Sequence, residues 1–220
     1  MDTDALSPLM SALRDAVLDG DARGAASATE RALGQGVDPQ RLVDGALIPA
    51  MDEAGRRFEN GEFFVPELLV SARALKASQA IVTPLLAQRG GGVARGRVAI
   101  GTVKGDMHDI GKNLVVALLQ GGGFDVVDLG TDVPPTRFVS AVTNDRADIV
   151  GLSALLTTTM LQMKATLKAM ETAGVRGSVK VIVGGAPVTQ RFADEIGADG
   201  YADNAAAALA LARRLMAPGA

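Results

Sequence analysis

Apolar residues recur every three or four positions from the N-terminus to Leu86, and that spacing predicts helix throughout. Leu6, Leu9, Met10, Leu13, Val17 and Leu18 fall on one helical face. Asp19-Gly20-Asp21 interrupts the pattern, and Ala22 to Leu33 reads as an alanine-rich second helix that stops at Gly34-Gln35-Gly36. Asp38-Pro39 sets a capping side chain before a proline at the first helical position, predicting a third helix to about Phe58. Asn60-Gly61 breaks it, and Pro66 opens a fourth helix with Leu68, Leu69, Ala72, Leu75, Val82 and Leu86 on a broad apolar face. Short connections between such helices predict a small antiparallel four-helix bundle over residues 1–87.

The period changes after Gln88 to Arg97 (QRGGGVARGR), a Gly- and Arg-rich stretch that reads as a linker with Gly90-Gly91-Gly92 as its natural hinge. Short β-rich apolar runs follow at Val98–Val103, Phe124–Leu129, Ile149–Ser153, Val179–Val183 and Gly200–Ala202. Helical patterns alternate with them at about Asp109–Gln120, Pro135–Thr143, Thr158–Ala173, Thr189–Ile196 and Ala205–Met216. Five βα units predict an α/β domain over residues 98–220, a flavodoxin-like (Rossmann-type) parallel sheet of strand order 2-1-3-4-5. The fold class is thus α/β with an all-α N-terminal domain.

Composition narrows the function by exclusion. With 22 basic against 25 acidic residues, nothing points to nucleic acid. Six Phe, Tyr201 and no Trp leave too few aromatics for a base-stacking platform. Cysteine is absent, which removes disulfides, thiolate metal sites and cysteine nucleophiles. Met1-Asp2-Thr3-Asp4 lacks the basic start of a secretory signal, and no run approaches the ~20 apolar residues of a membrane span. A cytoplasmic protein without a membrane partner is the expectation.

The candidate chemistry centres on Asp106, His108 and Gly111, a D-x-H-x-x-G signature around the single histidine of the chain. A Ser153-Ala154-Leu155 triplet and a Gly184-Gly185 pair follow, and all three pieces fall at the carboxyl ends of predicted strands. Strands one and three flank the switch point at which ligands bind in such sheets. The pattern resembles the cobalamin-binding domain of corrinoid methyltransferases and mutases, in which the histidine replaces the cofactor's own dimethylbenzimidazole as lower cobalt ligand. The resemblance implies cobalamin as cofactor, in its methylcobalamin form during turnover, with His108 as the cobalt ligand. It also implies that Asp106 orients the imidazole, and that Thr159, where methionine synthase has serine, completes a hydroxyl relay with Asp106 and His108. Gly105, Met107, Asp109, Ile110 and Gly111 would line the macrocycle. Ser153, Leu155, Thr157, Gly184, Gly185, Ala186 and Tyr201 would border the displaced base and its nucleotide tail. Physically, a neutral imidazole is a good cobalt ligand, and a carboxylate on its other nitrogen fixes tautomer and orientation. Taken singly, these residues have plainer readings: a satisfied loop histidine, threonines that cap a helix, a half-buried tyrosine.

Phe58-x-x-Gly61-Glu62-x-Phe64-Val65-Pro66-Glu67-Leu68 resembles the cap module of the same methyltransferases. By that likeness Phe58 and Val65 cover the upper, methyl-bearing face of the corrin, as an apolar lid that excludes water and oxidants. Taken alone, Phe58, Phe64 and Val65 read as bundle core.

The chain has no room for a methyl-donor barrel of ~250 residues, so its partners are expected in trans. The resemblance implies a methyl shuttle between a substrate-specific methyltransferase and an acceptor methyltransferase using folate or thiol, with a reductive activase in support. A cobalamin-dependent light sensor shares both modules, but uses a Trp and a second His that this sequence lacks. The cobalamin subunit of a split methionine synthase is a further alternative.

Overall fold

The computed structural model of the chain describes residues 3–88 and 95–217. The proposed hinge at Gly90-Gly91-Gly92 lies outside the described residues. Two compact units emerge, a helical one that also takes in Gln120–Gly123, and an α/β one formed by the remaining residues from Arg95 onward.

The helical unit comprises α1 (Thr3–Leu18), α2 (Ala22–Gly34), α3 (Pro39–Leu42), α4 (Ile48–Glu59) and α5 (Val65–Gln88). Asp38 caps as expected, and Asp21, read only as part of a break, caps α2. Asp21 accepts the Gly24 N–H at 2.9 Å, and Asp38 accepts the Gln40 N–H at 2.9 Å. The expected third helix is continuous but not uniform, since a π-helical stretch, Val43–Leu47, joins α3 to α4. Proline supplies the cause: Pro49 has no N–H for the Gly45 carbonyl, and the Ile48 N–H reaches back five residues to Val43 instead. Leu13, Val17, Leu42, Leu47, Met51, Leu68 and Leu75 fill the interior. The buried Ser71 hydroxyl donates to the Leu18 carbonyl at 3.1 Å, tying α5 to the end of α1.

In the α/β unit, β1 (Arg97–Thr102), β2 (Asp125–Asp128), β3 (Ile149–Ser153), β4 (Lys180–Gly184) and β5 (Gly200–Ala202) form one sheet of order β2-β1-β3-β4-β5. Every pair is parallel, as the predicted topology requires. Between them run α6 (Ile110–Gly121), α7 (Pro135–Thr143), α8 (Leu161–Thr172), α9 (Gln190–Ile196) and, last, α10 (Ala205–Leu215). Alternate strand residues serve two cores. Ala99, Val150, Leu152, Val181 and Val183 pack on one face, and Val98, Ile149 and Ile182 on the other. Thr102 pairs with Ser153, and Ser153 with Gly184, so three strands end at one level. The loops that follow them therefore emerge side by side. No helix among the described residues is long and apolar enough to cross a membrane.

One boundary moves materially. The helix expected from about Thr158 begins at Leu161, because residues 155–160 form a turn in which the Thr159 N–H donates to the Leu156 carbonyl at 3.1 Å.

Candidate functional site

The loop after β1 folds around a buried carboxylate. The Asp106 side chain is 0% exposed and receives four donors. Its Oδ1 accepts the His108 N–H at 3.1 Å and meets the ring Nδ1 at 2.8 Å. Its Oδ2 accepts the Leu155 N–H at 2.8 Å and the Thr159 hydroxyl at 2.6 Å. One aspartate thus binds the loop after β1 to the turn after β3, two segments that the chain separates by nearly fifty residues. This explains the delayed start of α8. Thr159 is spent on Asp106 and the Leu156 carbonyl rather than on a helix N-terminus, and α8 begins without a side-chain cap.

Burial by itself would push the Asp106 carboxyl up. The hydrogen bonds from Thr159, the Leu155 N–H and His108 outweigh it and hold the group well below the usual carboxylate range. An ionised Asp106 only accepts hydrogen bonds, so the proton between it and the imidazole sits on Nδ1. Nε2 then carries the lone pair of the neutral ring. The His108 side chain is 53% exposed, so this nitrogen belongs to a ring that is gripped at one edge and open elsewhere.

Around the ring the protein shows apolar surface. In the α/β unit, the exposed large hydrophobic residues are Met107, Ile110, Leu155, Leu156 and Leu161, all from the loop after β1 or the turn after β3 and the helices they lead into. Ile110 is 78% exposed and Met107 70%, values that fit a surface made to be covered by a flat apolar ligand. Gly105 sits at φ +81°, open to glycine and strained for others. Gly111 has no positive φ and nothing within 4 Å of where a Cβ would stand, so its contribution is room beside the ring rather than a special dihedral.

Metal chemistry is constrained by the donor set. Among the described residues no group of three or more His, Cys, Asp or Glu could hold a metal ion. A bare ion needs several protein ligands. A metal whose equatorial positions are filled by a macrocycle needs one, which His108 Nε2 would supply. The residues present fit a corrinoid.

Known proteins decide the matter. A B12 binding domain model matches residues 96–210, and a second B12 binding domain model matches residues 9–83. The chain belongs to the B12-binding corrinoid proteins. It is 40% identical over 210 residues to a corrinoid protein of Desulfitobacterium hafniense (strain Y51), covering 94% of this chain and 97% of that one. It is 40% identical over 209 residues to the dimethylamine corrinoid protein of Methanosarcina barkeri, covering 95% and 98%. Among solved structures it resembles the methanol:cobalamin methyltransferase complex of Methanosarcina barkeri, with a TM-score of 0.84 at 30% identity over 95% of this chain and 80% of that one.

In this corrinoid protein the other sequence candidates divide by location. Ser153 is half-buried at the end of β3, its carbonyl accepting the Val103 N–H at 2.9 Å, and Thr157 and Ala186 are exposed on neighbouring loops. Asp109 holds Asn113 Nδ2 at 3.0 Å across the first turn of α6. Tyr201 is half-buried against the core. The glycine pair answers to packing as well as to any ligand. A Cβ on Gly185 would collide with the Ala154 carbonyl, and one on Gly184 would stand 2.7 Å from the Ala202 carbonyl. In the helical unit, Phe58 and Val65 are half-buried at either side of the turn joining α4 to α5, and Phe64 is 67% exposed. Phe64 is therefore not bundle core.

Four residues escaped the sequence reading. Thr102, fully buried, donates its hydroxyl to the His108 carbonyl at 2.7 Å. Asp132 accepts the Gly105 N–H at 2.7 Å. Lys112 is buried and donates to both oxygens of Asp128 at 2.6 and 2.7 Å. A signal for Lys112 was present, since it precedes Val115 and Leu119 on the apolar stripe of α6, where a lysine implies a buried partner.

Proposed function

We propose that the chain is a methyl-carrying corrinoid protein that binds cobalamin base-off with His108 as the lower cobalt ligand. It would receive a methyl group from a substrate-specific methyltransferase and deliver it to an acceptor methyltransferase, with a reductive activase restoring the cofactor. The observation that carries the reading is the His108 imidazole, its Nδ1 committed to the buried Asp106 and the rest of its ring exposed amid apolar side chains. The names of the relatives support it, since they are corrinoid proteins of dimethylamine and trimethylamine systems, and a methanol:cobalamin methyltransferase complex.

When bound, cobalamin supplies a cobalt centre that accepts and releases a methyl group. The residues supply everything else. His108 would ligate the cobalt, and Asp106, kept ionised, would set the tautomer of its ring. Thr159 donates its hydroxyl to the second oxygen of Asp106 and so helps keep the carboxylate ionised against the imidazole. Met107, Ile110 and Leu155 keep water from the macrocycle. Ser153, Thr157, Gly184, Gly185, Ala186 and Tyr201 are assigned to the nucleotide tail, and Phe58 and Val65 to shelter of the methyl-bearing face.

Isotope transfer tests the carrier role. Cobalamin-loaded chain, reduced anaerobically to Co(I) with titanium(III) citrate, is incubated with a labelled methylamine or methanol and the matching methyltransferase, then separated by gel filtration. Label should stay with the chain and pass on to an added thiol acceptor system. A cobalamin-loaded chain that takes up no label from any of these donors contradicts the proposal.

A further inference from the structure

The signature explains how the His108 ring and N–H are held, but not how the His108 carbonyl and the Gly105 peptide are held. Two groups outside the signature do that. The Thr102 hydroxyl, buried at the end of β1, donates to the His108 carbonyl at 2.7 Å. The Asp132 carboxylate accepts the Gly105 N–H at 2.7 Å, and the Asp132 N–H donates to the Asp106 carbonyl at 2.9 Å. Both groups stand on well-supported backbone. The Thr102 N–H donates to the Gly130 carbonyl at 3.0 Å, and the Thr102 carbonyl accepts the Val133 N–H at 3.0 Å. Asp128, held by buried Lys112, accepts the Gly130 N–H at 2.9 Å. Asp132 itself has φ +52°, a conformation costly for a side chain unless something is gained there.

We infer that Thr102 and Asp132 are positioning residues for the lower ligand, clamping the loop at the His108 and Gly105 peptides so that Asp106 can aim the imidazole. Asp106 and His108 are two residues apart, and their side chains meet only if the intervening backbone curls back on itself, as the His108 N–H bond to Asp106 shows. A free loop spends part of its time out of that curl. Pinning the carbonyl of His108 to one strand end and the N–H of Gly105 to the loop after the next removes that freedom before any ligand arrives, so the ring is oriented in advance rather than by the cofactor. The role toward cobalt rests on the function proposed above, whereas the clamp on the ring does not.

Because His108 is the single histidine, its ring gives the only imidazole nitrogen signals of the protein, and these report the tautomer directly. The experiment records them in the cobalamin-free full chain at a pH where the ring is neutral, for wild type, Thr102→Val, Thr102→Ser, Asp132→Gly and Asp132→Asn. Wild type should show the Nδ1-protonated form almost alone. Thr102→Val and Asp132→Gly should move the ring toward the mixture of tautomers of a free imidazole, and Thr102→Ser and Asp132→Asn, which keep a hydroxyl donor and an acceptor oxygen, should restore it. Asp132→Gly also relieves the positive φ and lies on the surface, so it remains informative if Thr102→Val does not fold. An unchanged tautomer in Asp132→Gly and in folded Thr102→Val, whatever happens to thermal stability, overturns the clamp. Cobalamin titration of the same variants then reads the consequence, a loss of affinity on the order of tenfold. If wild type binds cobalamin without histidine ligation while the tautomer shifts occur, the functional reading fails and the clamp stands.

Discussion

The loop after β1 and the turn between α4 and α5 hold the residues proposed to ligate and to shelter the cofactor, and they are built in opposite ways. The first wraps a fully buried carboxylate in four hydrogen bonds and ties it to a second loop. The second presents side chains on a surface hairpin. There the Gly61 N–H donates to the Phe58 carbonyl at 3.1 Å, Arg57 lies 5.3 Å from the centre of the Phe63 ring, and Glu67 accepts the Phe64 N–H at 3.0 Å. The contrast matches the roles proposed for each. A metal ligand works in one direction and has to be aimed, whereas a shelter works by excluding water and needs apolar bulk without a fixed geometry.

The largest effect should come from Asp106→Ala, which strips four donors of their acceptor. Urea denaturation of the cobalamin-free chain should show a loss on the order of 3 kcal/mol. By contrast, His108→Ala removes a half-exposed ring and should leave the midpoint almost unchanged while abolishing nitrogen ligation of bound cobalt. Equal destabilisation by the two would mean that the loop is organised around the histidine rather than the aspartate.

Acid should expose the same asymmetry. Asp106 is held below its unfolded value, so the unfolded chain binds its proton first as pH falls. The stabilisation is complete above about pH 4 and drains away below it as pH approaches the depressed folded value. Asp106→Asn should flatten the acid limb of a stability-against-pH curve, and a limb as steep as that of wild type would show that other carboxylates dominate it.

Thr159→Val should cost about 1–2 kcal/mol by removing one of the two donors to Asp106 Oδ2, with Thr159→Ser closer to wild type by the same urea denaturation. On the helical side, Phe64→Ala should change stability by less than about 0.5 kcal/mol, as its exposure implies. Phe58→Ala should accelerate photolysis of bound methylcobalamin, read as the rate of spectral change under a fixed lamp. The smallest effect belongs to Glu53, whose carboxyl is held at about 2 by hydrogen bonds from Arg56 and Arg57. Glu53→Gln should alter acid stability only slightly, between about pH 4.5 and the folded value, because both arginines are partly exposed and their charges are screened.

Much of this was legible in the sequence because it depended on periodicity and punctuation. Alternating βα patterns fixed a parallel sheet, and Asp38 announced its helix. Asp106 and His108 were legible for a different reason, as a compact signature on one loop. What stayed hidden depended on contacts between distant segments. Thr102 reads as an ordinary strand threonine until the chain curls back and puts the His108 carbonyl above it. Asp132 is one polar residue in a turn, and its partner lies 27 positions earlier. The late start of α8 was hidden likewise, since Thr157-Thr158-Thr159 looks like capping until Asp106 claims Thr159. Pro49 was visible, but a π-helical stretch is one of several ways to absorb a proline, and packing chooses among them.

The cobalt of bound cobalamin is proposed to take its lower ligand from His108. EPR of the Co(II) form tests it most directly, using chain grown with nitrogen-15 histidine beside unlabelled chain, both loaded with ordinary cobalamin. With one histidine in the sequence, any change in nitrogen coupling assigns itself. The triplet splitting from the axial nitrogen should become a doublet on labelling, and should vanish in His108→Ala. A triplet that persists in the labelled protein would place the cofactor's own benzimidazole on the metal and contradict the account.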